Sequence, residues 1–410
     1  MYKNTLINIF GLLIPGLVTI PTMAYLARGL DIELFGILML MFSVLGYSSL
    51  FDAGITRAVI RKIAISDSKA IDRKVMGTAL VSVFFLGVFA SILVYFFSEN
   101  ISILLNVSED KFNEVVISIK VLALIIPFFL IGTVSFSYLE GKQLFFELNK
   151  YKILTGLILS IIPVVFVFFD PTLLSAIMGL FFARVIVSII GYLSCKKNIG
   201  NGFIQFEYSV FYELLVFGGW MTISNIISPL MVYFDRFIIA SIMGADKVAY
   251  FAAPKDLIQK ISILPTAVSR TIFPFFSQNS NSKKEIIKLE IEMYGVLSLC
   301  LILFLIPMFF YAKEILSLWL GSNYGEHSYV ILRILIIGFF FNSLAQIPFS
   351  KIQAFGKSKI TALIHMVEVI PFLIILYTLI HMYGFIGAAF AWSFRVICDY
   401  IILEFFSRRL

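Results

Sequence analysis

Ten ionisable residues of this chain sit in stretches too apolar to face water. They are the acids Asp52, Asp235, Asp256, Glu368 and Asp399 and the bases Arg184, Arg236, Lys255, Lys260 and Arg395. A charge at the centre of a bilayer costs about 2.5–3.5 kcal/mol on insertion scales, so it persists where it meets a partner or a water-filled cavity. Arg and Lys at such a place can hold phosphate groups, Arg through its planar fork of donors. Carboxylates and imidazole there can carry protons. Half of the ten fall within residues 233–260, which marks a polar path through a membrane protein.

Spacing sorts these groups. Asp256 and Lys260 are i,i+4 on one helix face, as are Arg395 and Asp399, and each pair can neutralise itself. Asp235 and Arg236 are sequence neighbours about 100° apart around a helix, so direct pairing is not expected. Lys255 lies close enough to a span end to snorkel outward. Lys260 lies roughly 15 Å deep, by helix rise, and is expected to stay there. Arg184 has no helical partner, and Arg28 closes the first apolar run. His365 and Glu368, at i,i+3, can form a proton-coupling pair or a helix–helix hydrogen bond. Asp256, Asp52 and Asp399 are the further candidates for ion coupling, while Asp52 can equally anchor a helix end. Eight of the ten are in the C-terminal half, with Trp220, Asn225, Asn342 and Gln346 adding polar or amphipathic surface there.

The elements that position these residues are membrane spans. The 410 residues are 60% hydrophobic and 14% charged, against roughly 25% charged in soluble domains. Apolar runs fall at about 5–27, 35–55, 76–97, 116–138, 153–169, 173–194, 214–242, 250–276, 294–312, 328–348, 360–380 and 385–406. Twelve transmembrane helices in an all-α polytopic membrane protein are therefore expected. The first run lacks a small-residue cleavage site and reads as a span.

Basic residues cluster in alternate loops. Residues 56–75 hold Arg57, Arg61, Lys62, Lys69, Arg73 and Lys74, and later clusters follow at Lys142, Lys150 and Lys152, at Lys283, Lys284 and Lys288, and at Lys351, Lys357 and Lys359. By the positive-inside rule both termini are cytoplasmic. The net charge of +7 reads as this signal and not as nucleic-acid binding. Prolines within the spans, such as Pro15, Pro127, Pro163 and Pro254, fit either ordinary bends or hinges of a moving bundle.

The chain also repeats itself. Gly29-Leu-Asp-Ile-Glu-Leu-Phe-Gly36 and Gly244-Ala-Asp-Lys-Val-Ala-Tyr-Phe251 each open a second span and lie 215 residues apart. Thr56-Arg-Ala-Val-Ile60 and Ser269-Arg-Thr-Ile-Phe273 lie 213 apart. Two six-helix lobes with pseudo-twofold symmetry are implied: 1–200 with helices 1–6 and 208–410 with helices 7–12. That is the layout of an alternating-access carrier with its site between lobes.

Several functions are excluded or disfavoured. The three cysteines sit in or beside apolar runs, with no CxxC or Cys/His metal spacing. No nucleotide loop, catalytic triad or cofactor motif is present, so no cofactor is expected and energy must come from an ion gradient, the membrane potential or substrate flux. The external loops, of about 18 residues at most, are too short for a glycan polymerase or ligase. A non-transporting scaffold would not need Lys260 or Arg184 at depth.

Asp235-Arg-Phe-Ile-Ile-Ala-Ser-Ile-Met-Gly244 with Val248-Ala-Tyr-Phe-Ala-Ala-Pro254, and Phe51-Asp-Ala-Gly-Ile-Thr-Arg-Ala-Val-Ile-Arg61, resemble the signatures of bacterial polysaccharide transporters. These are the O-antigen and capsule repeat-unit flippases (Wzx type) of the multidrug/oligosaccharidyl-lipid/polysaccharide exporter superfamily. The resemblance runs the full length and implies a MATE-like fold in the bacterial inner membrane. It implies that the substrate is an undecaprenyl-pyrophosphate-linked glycan, flipped from the cytoplasmic to the outer leaflet. An H+ or Na+ counter-ion, membrane lipids, a repeat-unit polymerase and glycosyltransferases would be its partners. A cationic cavity would draw on Arg236, Lys260, Lys255, Arg184, Arg28 and Arg395. The alternative is a drug or organic-cation antiporter of the same fold, whose cavity should be acidic; Asp52, Asp256 and Glu368 favour it.

Overall fold

In a computed structural model the backbone is described for residues 2–48, 52, 54–66, 68–200, 205–278 and 283–409. The described residues are mostly helical, and none of them is in a strand. The first half contains α1 (Tyr2–Gly29), α2 (Ile32–Ser48), α3 (Ile55–Ala64), α4 (Lys69–Phe96), α5 (Ser98–Leu104), α6 (Phe112–Gly141), α7 (Phe145–Phe169) and α8 (Leu173–Ile199). The second contains α9 (Tyr208–Met243), α10 (Ala245–Ile261), α11 (Ile263–Gln278), α12 (Lys283–Phe310), α13 (Ala312–Leu320), α14 (Ser322–Leu344), α15 (Gln346–Ala354), α16 (Ser358–Tyr383) and α17 (Phe385–Arg408).

Among the described residues, the expected apolar runs fall largely on helix. Eight helical stretches among the described residues are long and apolar enough to cross a membrane, with α14 and α15 counted as one. The chain is a multi-pass membrane protein. Helix is the form that satisfies every backbone group in lipid without an open sheet edge.

Two expected loops contain helix. Residues 56–75 begin with α3, whose buried Ile55, Ala58, Val59 and Ile63 form one apolar stripe at helical spacing. The stripe packs against Val75, Met76 and Ala79 of α4 and Val134 and Leu139 of α6. Counting charges as loop hid this short amphipathic element. Residues 98–115 likewise contain α5, and α6 starts before they end.

The repeat extends to the helices themselves. α2 and α10 each have 17 residues and start 213 apart; α4 and α12 each have 28 and start 214 apart. α5 and α13 start 214 apart, α7 and α16 213, and α8 and α17 212. The second span of the second half is divided at Ser262, between α10 and α11.

The chain divides into two compact units, Met1–Tyr233 and Phe234–Leu410. In unit 1, α6 packs on α4 and α8, and α7 packs on α1 and α8. The start of α9 belongs with this unit: Val210 and Leu214 join the α3–α4–α6 core, Glu213 pairs with Lys62, and Phe217 lies under Arg61 at 4.4 Å. In unit 2, α14 packs on α10, α13 and α17, and α16 packs on α17.

Several prolines have a packing role. An added Cβ at Gly87 of α4 would lie 2.7 Å from the Cα of Pro127 in α6, and one at Gly179 of α8 would lie 2.7 Å from the Cα of Pro163 in α7. A Cβ at Gly156 would meet Pro15 of α1 at 2.6 Å. Small residues let membrane helices approach closely, and here each admits a proline of the neighbouring helix.

Candidate functional site

The α9–α10 hairpin brings four charges together in unit 2. Its turn is Gly244, at φ 95°, and the two helices run back along each other. Lys255 donates to Asp235, and Arg236 donates to Asp256. Both pairs join residues 20 apart. The Arg236 backbone N–H also donates to Asp235 Oδ1 at 2.9 Å. Asp235, Arg236 and Lys255 are 0%, 1% and 2% exposed, so the Asp235–Lys255 pair is buried on both sides, while Asp256 is partly exposed. Such pairs do not stabilise much overall, but losing one partner strands a buried charge.

This geometry corrects the spacing argument. Asp256 pairs with Arg236 on α9 and not with Lys260 at i,i+4. Lys255 does not snorkel outward: it turns inward to Asp235 and lies 5.4 Å over the Phe251 ring. Lys260, expected to be held at depth, has an exposed side chain. Among the described residues it makes no ion pair. A carboxylate on a packed neighbouring helix reached the cations before the local one could.

A second cluster lies on α16 and α17. Arg395 Nη1 stands 3.9 Å from Glu368 Oε2, and His365 Nε2 stands 3.6 Å from Asp399 Oδ1. The i,i+4 pairing of Arg395 with Asp399 is thus replaced by two cross-helix pairs. His365 faces Asp399 more directly than Glu368, its neighbour at i,i+3. Phe349 of α15 stacks on His365, with ring centroids 5.9 Å apart and planes 9° apart. Phe372 lies under Arg395 at 5.3 Å. Arg395 also feels the charges of Asp235 and Lys255, so the two clusters form one field.

The first half is sparser. Arg184 lies over the Phe129 ring at 4.8 Å, and its Nε is buried without a hydrogen-bond partner. No carboxylate pairs with Arg184 among the described residues. Arg28 is exposed in the last turn of α1. Asp52 accepts from the Gly54 N–H at 2.8 Å and the Thr56 N–H at 3.4 Å, which fixes the start of α3; a carboxylate at a helix N-terminus satisfies its orphan donors. The Trp220 and Asn225 side chains lie outside the described residues, as do residues 201–204 between the halves.

Outside the spans, Lys111 bridges Asp31 at 2.5 Å and Glu33 at 3.4 Å, and Glu33 accepts from the Ser108 N–H and hydroxyl. Partial burial works against Asp31, but Lys111 and the Glu33 and Leu34 backbone N–H groups hold its carboxyl below the usual range. Partial burial likewise opposes Lys111, yet Asp31 and Glu33 raise it.

Three cations, Arg236, Lys255 and Arg395, thus face four carboxylates, Asp235, Asp256, Glu368 and Asp399, with His365 beside them. The arrangement can exchange protons and bind charged groups. Sequence spacing missed the Asp235–Lys255 and Arg236–Asp256 pairings, because 20 residues is no helical repeat. The signal was the Gly244 turn, which folds positions on either side of it together.

Comparison with known proteins gives these features a lineage. A family described as "Polysaccharide biosynthesis protein" matches residues 25–329. A putative O-antigen transporter of Shigella flexneri is 42% identical over 409 residues, covering 100% of this chain and 98% of that protein. Among solved structures, the lipid II flippase MurJ in an inward closed conformation superposes with a TM-score of 0.82 at 15% identity, over 100% of this chain and 88% of that one. An inward-facing multidrug resistance MATE transporter of the MOP superfamily gives 0.80 at 13% identity, over 98% and 97%. At those identities the two structures speak for the fold alone, which is that of the MATE and MOP transporters. With the family match over most of its length and a full-length relative at 42% identity, the chain belongs to the polysaccharide biosynthesis protein family.

Proposed function

We propose that this protein is a flippase and not an enzyme. It carries an undecaprenyl-pyrophosphate-linked oligosaccharide, an O-antigen or capsule repeat unit, from the cytoplasmic to the outer leaflet of the bacterial inner membrane. The carrying observation is the full-length 42% identity to a putative O-antigen transporter. Lobes 1–200 and 208–410 alternate access, both termini are cytoplasmic, and an ion gradient supplies the energy. Glycosyltransferases supply the substrate and a polymerase consumes it.

Not all cations are equally available to a pyrophosphate. Arg236 and Lys255 are committed to carboxylates, and Arg395 stands beside Glu368. Arg184 meets an aromatic ring and no carboxylate among the described residues, and Lys260 is exposed. These two are the residues we assign to phosphate, with Arg28 near a span end. Arg236, Lys255 and Arg395 position the helices around them.

Deletion of the gene tests this reading. Surface polysaccharide should be lost while lipid-linked units accumulate inside the cell, and Arg184→Ala and Lys260→Ala should fail to restore it at normal membrane abundance. The excess of carboxylates in the α9–α10 and α16–α17 cluster, four against three cations, favours one competing reading, a cation antiporter. Unchanged surface glycan with raised drug sensitivity in the deletion strain would establish that reading instead.

A further inference from the structure

Glu368 is placed unlike the other acids of unit 2. Both of its carboxylate oxygens are buried and accept no hydrogen bond, and its side chain is 10% exposed. Arg395 Nη1, at 3.9 Å, is in ion-pair range but beyond hydrogen-bond reach. Asp235 and Asp256, by contrast, each accept directly from a cation. A buried carboxylate without donors is costly, and a proton removes most of that cost.

The neighbours point the same way. On its own helix Glu368 has His365; α17 brings Arg395, Asp399 and Cys398. α15 turns Phe349 toward His365, while its Lys351 is taken by Glu290 at 2.8 Å. Asp235 and Lys255 act on the site through Arg395. Asp399 Oδ1 is also buried without a hydrogen bond, and two neighbouring carboxylates do not both ionise cheaply. With four carboxylates against three fixed cations, one proton brings the field to neutrality. A sodium ion would sit beside Arg395 and His365, and among the described residues no group of three or more acids, histidines or cysteines is disposed to hold a metal ion.

We propose that Glu368 is the proton-binding site of this protein and that one proton there exchanges the partner of Arg395. With Glu368 ionised, Arg395 ties α17 to α16. With Glu368 protonated, Arg395 turns to Asp399, its i,i+4 neighbour, and one of the two polar ties between the helices is released, while His365 still faces Asp399. This deepens the reading of an ion-coupled carrier and rests on it for its use, though not for its measurement.

The test is infrared difference spectroscopy on the full-length protein in liposomes, titrated over about pH 5 to 8. A protonated-carboxyl C=O band should disappear as pH rises, should be missing in Glu368→Gln, and should persist in His365→Gln. Where Glu368→Gln does not reach the membrane, Glu368→Asp replaces it and should shift the band. A band unchanged in both Glu368 variants, or one removed by His365→Gln instead, overturns the proposal. The measurement needs no glycan substrate. A band that behaves as expected in a strain whose deletion leaves surface polysaccharide intact would therefore sink the flippase reading and keep the proton site.

Discussion

The last helix of each half carries an arginine at nearly the same depth, and the two meet different surroundings. Arg184 stands eleven residues after Leu173, the start of α8, and Arg395 ten after Phe385, the start of α17. Each lies over a phenylalanine ring. Arg395 also meets Glu368, whereas Arg184 meets no carboxylate among the described residues. Elsewhere the contrast is as sharp. α10 carries Lys255 and Asp256, while the matching positions of α2, Phe42 and Ser43, carry no charge. One helix plan thus serves two interiors. The first half keeps Arg184 away from carboxylates among the described residues; the second pairs Arg236, Lys255 and Arg395 with its own acids and leaves Lys260 exposed.

Breaking the second interior should produce the largest effect. Lys255→Ala strands Asp235, fully buried, and should cost about 3–5 kcal/mol, read as a lower unfolding temperature in detergent. The paired variant Asp235→Leu/Lys255→Met should recover most of it. An unchanged unfolding temperature for Lys255→Ala would mean that the pair does not hold the hairpin.

The first interior has its own weak point in backbone and not in charge. Gly54 sits at φ +71°, and a Cβ there would lie 2.2 Å from the Gly218 carbonyl oxygen. Gly54→Ala should cost about 1–3 kcal/mol and lower the fraction of folded protein in membranes. If it does not, the join between α3 and the start of α9 is looser than drawn.

The arginines test the comparison directly. Arg184→Met should change stability by less than about 1 kcal/mol, the worth of an aromatic contact, yet abolish surface-polysaccharide complementation. Arg395→Met should destabilise by leaving Glu368 without its cation, and adding Glu368→Gln should restore the unfolding temperature. Equal losses of stability from both arginines would erase the distinction.

The smallest effect lies outside the spans. Asp31 is held low, so its contribution is present above the unfolded carboxylate range and is lost as pH falls through its folded value. Lys111 is held high, so its share is lost only as pH rises through a value above the ordinary lysine range. Solvent screens this half-exposed pair to at most about 1 kcal/mol. Lys111→Met should lower stability at neutral pH by at most about 1 kcal/mol and leave strongly acid pH nearly untouched, which flattens the acid limb of the profile.

Hydropathy alone located every apolar run, because lipid imposes a length and a composition that one dimension can show. The repeat was visible at two motifs only. Its full extent lies in helix lengths and offsets, which survive where side chains have diverged. The break between α10 and α11 was not legible, since an interrupted span keeps its hydropathy. The pairings were misread for a related reason: i,i+4 rules describe one helix, and these charges chose partners across two. Glu368 illustrates the limit, since its lack of hydrogen-bond donors is a fact about three dimensions.

The order of charges in the α9–α10 hairpin has one more consequence. α9 reads acid then base, and α10 reads base then acid. Exchanging partners between the two rungs would set Asp235 against Asp256 and Arg236 against Lys255, like against like. The hairpin therefore carries a two-position parity check on its own alignment. A slipped copy is penalised at both rungs, most at Asp235 and Lys255, where no water softens the error. Any rearrangement of this half has to leave that seam intact, and the next interruption of helix beyond it is at Ser262, between α10 and α11.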